Sequence, residues 1–161
     1  MKCFIVRFSL FASIVLAFSG CTITRTINPV SPGTAIQTIY VQRNPKVLME
    51  GFHPELTKQI QELGFEVESY DGSTPQAAHY YMTYTANWQW DLAMYLTYFE
   101  ATLFEDGKSI GKVEYDATRG SGRMDKFGHT ADKIRPLLVE LFKSVDRKQP
   151  VTVKPSLDSA K

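Results

Sequence analysis

Residues 80–118 carry the clearest pattern of apolar and polar positions in the chain. From residue 80 to residue 90 the even positions hold Tyr, Met, Ala or Trp, while the odd positions are mostly Thr, Asn and Gln. Such alternation is typical of a half-buried β-strand. A short loop near 91–93 and a two-residue turn at Asp106 and Gly107 join this segment to two further β-rich segments. The pattern therefore predicts a three-stranded antiparallel meander with one buried face.

The two connections define a register for the meander. The two-residue turn pairs Tyr98 with Tyr115, and the three-residue loop pairs Trp88 with Leu96. The buried face predicted from this register contains seven side chains: Tyr84, Trp88, Leu96, Tyr98, Phe104, Val113 and Tyr115. Glu100 falls on the same face and would need a buried partner there. A β-bulge that shifts the register is the alternative.

Apolar residues at helical spacing predict two helices. The first begins near Pro54, continues through Leu56 and Ile60, and ends at Gly64. The second begins after Thr130, its expected N-cap. Its core-facing stripe is Ile134, Leu137, Leu138, Leu141 and Phe142.

These helices, the meander and short β-rich segments at 36–41 and 65–70 predict an α+β fold. The expected order is β-α-β-β-β-β-α, a two-layer sandwich whose mixed four- to five-stranded sheet carries two helices on one face. The domain is expected over residues 36–145.

The N-terminus differs from the rest of the chain. Lys2 and Arg7 flank an apolar run over 8–18, and no acidic residue occurs before Cys21. The run is too short to span a bilayer and is typical of a secretory signal peptide. Its last residues, 16–21 (LAFSGC), resemble the lipobox of bacterial lipoproteins.

The lipobox resemblance implies that residues 1–20 are a signal peptide and that Cys21 carries a diacylglycerol thioether and an acylated amino group. Because Thr22 rather than Asp follows, the resemblance to Gram-negative lipoproteins also implies delivery to the outer membrane. The membrane is then the first partner, through the lipid anchor on Cys21. An ordinary cleaved signal peptide without lipid is the alternative.

Two segments outside the predicted domain are rich in loop-forming residues. Residues 21–35 include two prolines and many hydroxyl residues, and are expected to form a tether of about 20 Å. The alternative is that this segment packs along the domain, because Ile23 and Ile27 are apolar. Residues 146–161 are expected to be a flexible C-terminal tail.

Composition and motifs exclude several function classes. Eighteen basic and 17 acidic residues leave the chain nearly neutral, so it lacks the charge expected of a nucleic-acid-binding protein. His53, His79 and His129 form no local metal-binding pair, and Ser121 lacks the frame of a nucleophile elbow. We therefore expect no catalytic residue, metal, cofactor or small-molecule substrate.

One candidate binding site is the glycine-rich loop between Arg119 and Arg123. Two arginines beside flexible glycines could bind an anion such as a lipid phosphate. The alternative is a plain connection whose arginines are solvated or pair with Asp116 and Asp125.

A second candidate site lies on the odd-numbered face of the meander. The face is mostly polar, yet it carries four large apolar or aromatic side chains, which could form an exposed partner-binding patch: Tyr81, Tyr95, Phe99 and Leu103. The alternative is that the tether or the tail covers them.

The order of elements resembles that of small Gram-negative outer-membrane lipoproteins whose α/β sandwich is similar to the LptE and TolB N-terminal type. The residues that carry the resemblance are the lipobox, Leu63-Gly64-Phe65, Trp88, Trp90-Asp91, Gly111 and residues 134–138. The resemblance implies a non-enzymatic, lipid-anchored accessory or scaffold protein that faces the periplasm and contacts an envelope protein partner. The alternative is a binding module for an anionic lipid or glycolipid, centred on Arg119 and Arg123.

Overall fold

The structure, a computed structural model, describes residues 22–119 and 124–147. The strands are β1 (Thr24–Asn28), β2 (Ala35–Ile36), β3 (Thr38–Gln42), β4 (Glu66–Tyr70), β5 (Tyr80–Asp91), β6 (Ala93–Glu105), β7 (Lys108–Asp116) and β8 (Asp146–Arg147). The helices are α1 (Phe52–Glu62) and α2 (Thr130–Leu141), and a short 3-10 turn spans Met124–Phe127.

Six strands form one mixed sheet in the order β1-β7-β6-β5-β3-β4. β3 runs parallel to both of its neighbours, whereas the other neighbouring pairs are antiparallel. β2 and β8 form a separate, two-residue parallel ladder. The predicted α+β fold with a mixed sheet and two helices is confirmed, and the sheet has six strands rather than four or five.

The two helices contact each other and pack on one face of the sheet, as predicted. Gly64 follows α1 with a φ of 95° and ends it. Thr130 is the first residue of α2, so the N-cap is His129 rather than Thr130. The helices bury their apolar stripes: Phe52, Leu56 and Ile60 on α1, and Ile134, Leu137, Leu138 and Leu141 on α2. Each such side chain stabilises the fold by about 1.5–3 kcal/mol relative to exposure.

Gly111 allows α2 to approach β7 closely. A Cβ atom built on this residue would lie 2.8 Å from Leu141 Cδ1 and 2.9 Å from Val30 Cγ2. Both neighbours are buried, so a larger side chain here would force the helix away from the sheet.

The segment predicted as a tether contains a strand of the main sheet. β1 pairs along its whole length with β7, and Ile27 lies opposite Val113. Ile23 and Ile27 pack against the core. The tether prediction for 21–35 is therefore wrong for the residues of β1, and the alternative of packing along the domain holds, because two apolar side chains can be buried there.

At the other terminus, the prediction of a flexible tail over 146–161 is wrong for its first two residues, because they form β8, which pairs with β2. The predicted signal peptide over 1–20 lies outside the described residues, as do Cys21 and the part of the predicted tail that follows residue 147.

The meander exists, but two irregularities change its register. Trp88 pairs with Leu96, as predicted. A shift between Asn87 and Trp88, and another between Leu103 and Phe104, break the simple alternation. As a result Phe99, not Tyr98, lies opposite Tyr115. The bulge alternative is confirmed, because a one-residue shift moves alternate side chains to the other face.

Candidate functional site

One end of the sheet brings together the start of β1, the end of β7 and the hairpin formed by β5 and β6. Thr24 pairs with Asp116, which pairs in turn with Tyr98. Tyr98 pairs with Asn87, so these four residues form one row across four strands. We call the part of the molecule beyond this row the hairpin end.

The hairpin extends past this row to a tight turn. Its ladder continues to the pair Asp91 and Ala93, which leaves Leu92 at the turn. At about 3.3 Å per residue, Leu92 lies roughly 16 Å beyond Asn87 along the strand. The φ of Leu92 is 62°, in the left-handed region, which costs a leucine roughly 1–2 kcal/mol. Backbone preference therefore does not explain a leucine at this position.

The hairpin end also exposes apolar side chains. Trp90 and Met94 pair across the hairpin on either side of Leu92, and we call these three residues the apolar tip. The large apolar side chains exposed in the described part of the chain are Leu48 (88%), Trp90 (71%), Leu92 (81%), Met94 (52%) and Val139 (41%). All except Val139, which lies on α2, are in the apolar tip or beside it. Such clustering is typical of an interaction site, whereas single exposed apolar side chains are common on any surface.

Leu48 is adjacent to the apolar tip through a shared cavity. This cavity of about 300 Å³ is lined by Lys46, Leu48, Trp88 and Met94, among others. Asn44 holds the loop against the sheet, because its Nδ2 donates to the carbonyl oxygen of Tyr84 at 2.7 Å. The loop between β3 and α1 thus enlarges the apolar surface.

A second cavity, of about 310 Å³, lies where the two helices begin. Its lining includes the N-cap residues Gly51 and His129, together with Glu55 and Trp88. Neither helix has a side-chain hydrogen bond at its N-cap. Free N–H groups at helix starts attract anions, but the carboxyl group of Glu55 already supplies a negative charge to this cavity.

A buried lysine fixes the position of the hairpin. Lys126 is 2% exposed, and its Nζ lies 2.5 Å from Asp91 Oδ2, next to the turn. The same Nζ lies 5.0 Å from the ring centroid of Tyr95 and 4.9 Å from that of Phe127, within cation–π range. Lys133 donates to the carbonyl oxygen of Lys126. The 3-10 turn before α2 is therefore tied to the hairpin by charge and by packing.

The predicted partner-binding patch does not form. Phe99 and Leu103 are fully buried, and Tyr95 is nearly so. Tyr81 stacks on Phe104, with ring centroids 4.9 Å apart and an interplanar angle of 7°. The prediction is wrong because the bulge near residue 87 places Phe99 and Leu103 under the helices.

The predicted anion-binding loop is described only at its start. Arg119 is exposed at the hairpin end, shortly after β7, and Arg123 lies outside the described residues. Hydrogen bonds from Thr118 to the carboxylate, together with the charge of Arg119, lower the pKa of Asp116. This electrostatic interaction agrees with the alternative in which Arg119 is partnered by Asp116.

The histidines lie at separate places. His53 is buried, with Nδ1 3.0 Å from Tyr84 Oη and Nε2 2.8 Å from Ser69 Oγ. His79 is hydrogen-bonded to Asp106, and His129 is the N-cap of α2. Within 22–119 and 124–147, no group of three His, Cys, Asp or Glu residues could hold a metal ion.

Glu100 lies on the sheet face opposite the helices, which we call the open face. Its Oε2 accepts a hydrogen bond from Tyr98 Oη at 2.7 Å and lies 2.9 Å from Lys112 Nζ. Burial raises the pKa of Tyr98 strongly, and the carboxylate of Glu100 adds to the increase. Burial alone would raise the pKa of Glu100, but the hydrogen bonds from Tyr98 and Lys112 lower it. The partner that Glu100 required is thus Lys112, at the surface of the sheet.

Sequence reasoning missed the apolar tip. Alternation placed Trp90 among the even, mostly apolar positions of its strand, and Leu92, Met94 and Leu48 were given no role. One signal was present: a hairpin turn normally uses Asn, Asp or Gly where φ is positive, whereas this turn contains Leu92.

No family model matches the chain, and no curated protein matches it in sequence. Among solved structures, a PelC dodecamer from Paraburkholderia phytofirmans is similar with a TM-score of 0.49 and 9% identity, over 79% of this chain and 100% of that chain. A variant of the same PelC has a TM-score of 0.47 and 10% identity, over 76% of this chain and 96% of that chain. In the described residues no helix is long and apolar enough to cross a membrane.

Proposed function

We propose that the chain is a lipid-anchored outer-membrane lipoprotein that faces the periplasm, with its domain held directly against the membrane. In this proposal it is a non-enzymatic accessory or scaffold protein that acts through contacts with an envelope protein partner. The observation that carries the proposal is the position of β1, which begins at Thr24, three residues after the lipobox cysteine, Cys21.

The short connection determines how far the domain can be from its lipid. Three residues span at most about 10–11 Å, and Ile23 is already packed against the core. Several acyl chains on Cys21, each contributing ~0.8 kcal/mol per buried methylene, would make dissociation negligible. A lipid on Cys21 therefore holds the hairpin end, where β1 starts, close to the bilayer.

Mass spectrometry of the protein purified from membranes tests the anchor. We expect the mass of the chain from Cys21 onward plus a diacylglycerol and an acyl chain. Cys21→Ser should abolish the lipid and release the protein from the membrane fraction. Cys3→Ser is the matched control and should leave both unchanged. An intact Met1 or an unmodified thiol at Cys21 would contradict the proposal.

The scaffold role is tested on the open face. Thr102 lies on this face, opposite Lys112, and a photo-crosslinking residue there should give one discrete crosslinked protein in intact cells. The same residue at Val139, on α2, is the control and should give no such product. Absence of any crosslink from Thr102 and neighbouring open-face positions would contradict a role through protein contacts on this face.

Binding of an anionic lipid or glycolipid is the second candidate function. It is favoured by the exposure of Arg119 at the hairpin end, where the proposed anchor brings it near lipid head groups. Arg119→Ala combined with Arg123→Ala should weaken binding to vesicles containing phosphatidylglycerol, but not to vesicles of phosphatidylcholine alone. Equal binding of wild type and double variant to the anionic vesicles would remove this candidate.

A further inference from the structure

We propose that the apolar tip, Trp90, Leu92 and Met94, inserts into the same bilayer that holds the lipid of Cys21. The inference rests on the proposed lipid anchor and adds a second, non-covalent attachment. Two attachments at one end of the molecule would set the orientation of the domain on the membrane, with the strands of the sheet directed away from the lipid surface.

The reach of the hairpin supports insertion. Thr24 and Asn87 belong to one row of the sheet. From that row the hairpin extends roughly 16 Å to Leu92, whereas Cys21 can lie at most about 10–11 Å from Thr24. The turn thus extends roughly 5 Å farther than the lipid-bearing residue, and interfacial apolar segments enter bilayers by about 5–10 Å.

The side chains of the tip suit a lipid interface. Tryptophan prefers the boundary between head groups and acyl chains, because its ring is apolar and its N–H is polar. Leu92 and Met94 are apolar and exposed. The one acid next to the turn, Asp91, is paired with Lys126, so no unpaired carboxylate opposes entry into the interface.

The short connection favours lipid over a protein as the occupant. With Ile23 packed on the core, the hairpin end has no slack to turn away from the bilayer. A protein partner would have to fit between the apolar tip and the membrane surface. The strain at Leu92 agrees with insertion, since a residue kept in an unfavourable backbone region is commonly functional.

Tryptophan fluorescence of the full lipidated protein in vesicles tests the inference directly. The chain has two tryptophans, so Trp88→Phe leaves Trp90 as the only reporter. In phosphatidylcholine vesicles with brominated acyl chains, Trp90 should shift to shorter wavelength and lose most of its emission. The matched variant Trp90→Phe reports on Trp88, which packs on Phe52 at 5.0 Å between ring centroids and should keep most of its emission.

Two further variants show whether a loss of Trp90 quenching comes from loss of membrane insertion or from unfolding. Asparagine suits a positive φ better than leucine, so Leu92→Asn in the Trp88→Phe background should keep or raise the unfolding free energy. It should nevertheless reduce the quenching of Trp90. Val139→Ser removes an exposed apolar side chain on α2 and should leave the quenching unchanged.

Mass spectrometry of the same sample shows whether Cys21 carries lipid, so that the lipid anchor and the insertion of the apolar tip can be judged separately. A lipidated protein with quenched Trp90 supports both proposals, and a lipidated protein with unquenched Trp90 overturns insertion alone. A bare Cys21 with quenched Trp90 removes the lipid anchor and keeps insertion, whereas a bare Cys21 with unquenched Trp90 removes both. Emission that shifts with protein concentration but is not quenched would show that a second copy covers the tip, which also overturns insertion.

Discussion

His53 shows how one buried polar residue can be structural rather than catalytic. Both ring nitrogens are used, one by Tyr84 on β5 and the other by Ser69 on β4. The ring therefore joins α1 to two strands. Burial, assisted by the charge of Arg43, lowers the pKa of His53 below its ordinary value of 6.5, and Asp71 opposes this only in part.

The lowered pKa of His53 predicts a pH dependence of stability. Well above pH 6.5 the residue is neutral in both the folded and the unfolded chain, so it adds no slope. As the pH falls below this value, the unfolded chain takes up a proton that the folded chain resists. The His53 contribution to the free energy of unfolding should thus decrease as the pH falls from about 7.5 to about 5.5.

Urea denaturation at the two pH values measures this contribution. His53→Gln should show a smaller decrease than wild type, while His129→Gln, which leaves the Tyr84 and Ser69 contacts intact, should behave like wild type. If His53→Gln and wild type lost equal stability on acidification, the shift assigned to His53 would be wrong.

The β5–β6 hairpin shows which features of an element the sequence can determine. Alternation located both strands, and the length of the loop near 91–93 gave the pair of Trp88 with Leu96. Turn chemistry located the next turn, at Asp106 and Gly107, which joins β6 to β7. The face of β6 was not predictable, because a bulge costs little locally and is decided by which side chains the helices can bury. β1 was missed since its sequence, TRTIN, has one apolar residue, and its strand pairing depends on the edge that β7 offers.

The revised register of β6 predicts that neighbouring substitutions have unequal effects. Phe99 is fully buried and contacts Phe52 with ring centroids 5.7 Å apart, so Phe99→Ala should cost about 3–5 kcal/mol of unfolding free energy. Tyr98 lies on the open face, and Tyr98→Ala should cost less than half as much, through loss of its bond to Glu100. A larger loss for Tyr98→Ala than for Phe99→Ala in urea denaturation would restore the simple alternating register.

At the scale of the whole molecule, the β5–β6 hairpin extends farther than the two helices that cover one face of the sheet. The strand pattern continues through Trp90, but its partner layer, the two helices, ends near Trp88, which packs on Phe52. A strand's sequence does not state how far a neighbouring layer extends, so an exposed apolar tip and a buried strand look alike in sequence. The apolar tip could therefore be recognised only after the helices were placed on the sheet.

The same geometry predicts that the short connection and the apolar tip hold the domain redundantly. Inserting ten Gly and Ser residues between Thr22 and Ile23 adds a flexible reach of roughly 17 Å, yet it should leave Trp90 quenched by brominated lipid, because the tip still binds the bilayer. Combining that insertion with Leu92→Asn and Met94→Ser should release the domain, and energy transfer from a dye on α2 to a lipid dye should fall.

The variant that carries only the ten added Gly and Ser residues is the informative one to measure. If it abolished the quenching of Trp90 while Cys21 remained lipidated, the connection would be holding the tip passively near the surface, and the tip would have no affinity of its own. If quenching persisted in the insertion variant and was lost only when the tip was made polar, orientation would come from Trp90, Leu92 and Met94. We expect the second result, because the hairpin is fixed to the rest of the fold through Asp91 and Lys126 and presents its apolar side chains whatever the length of the connection.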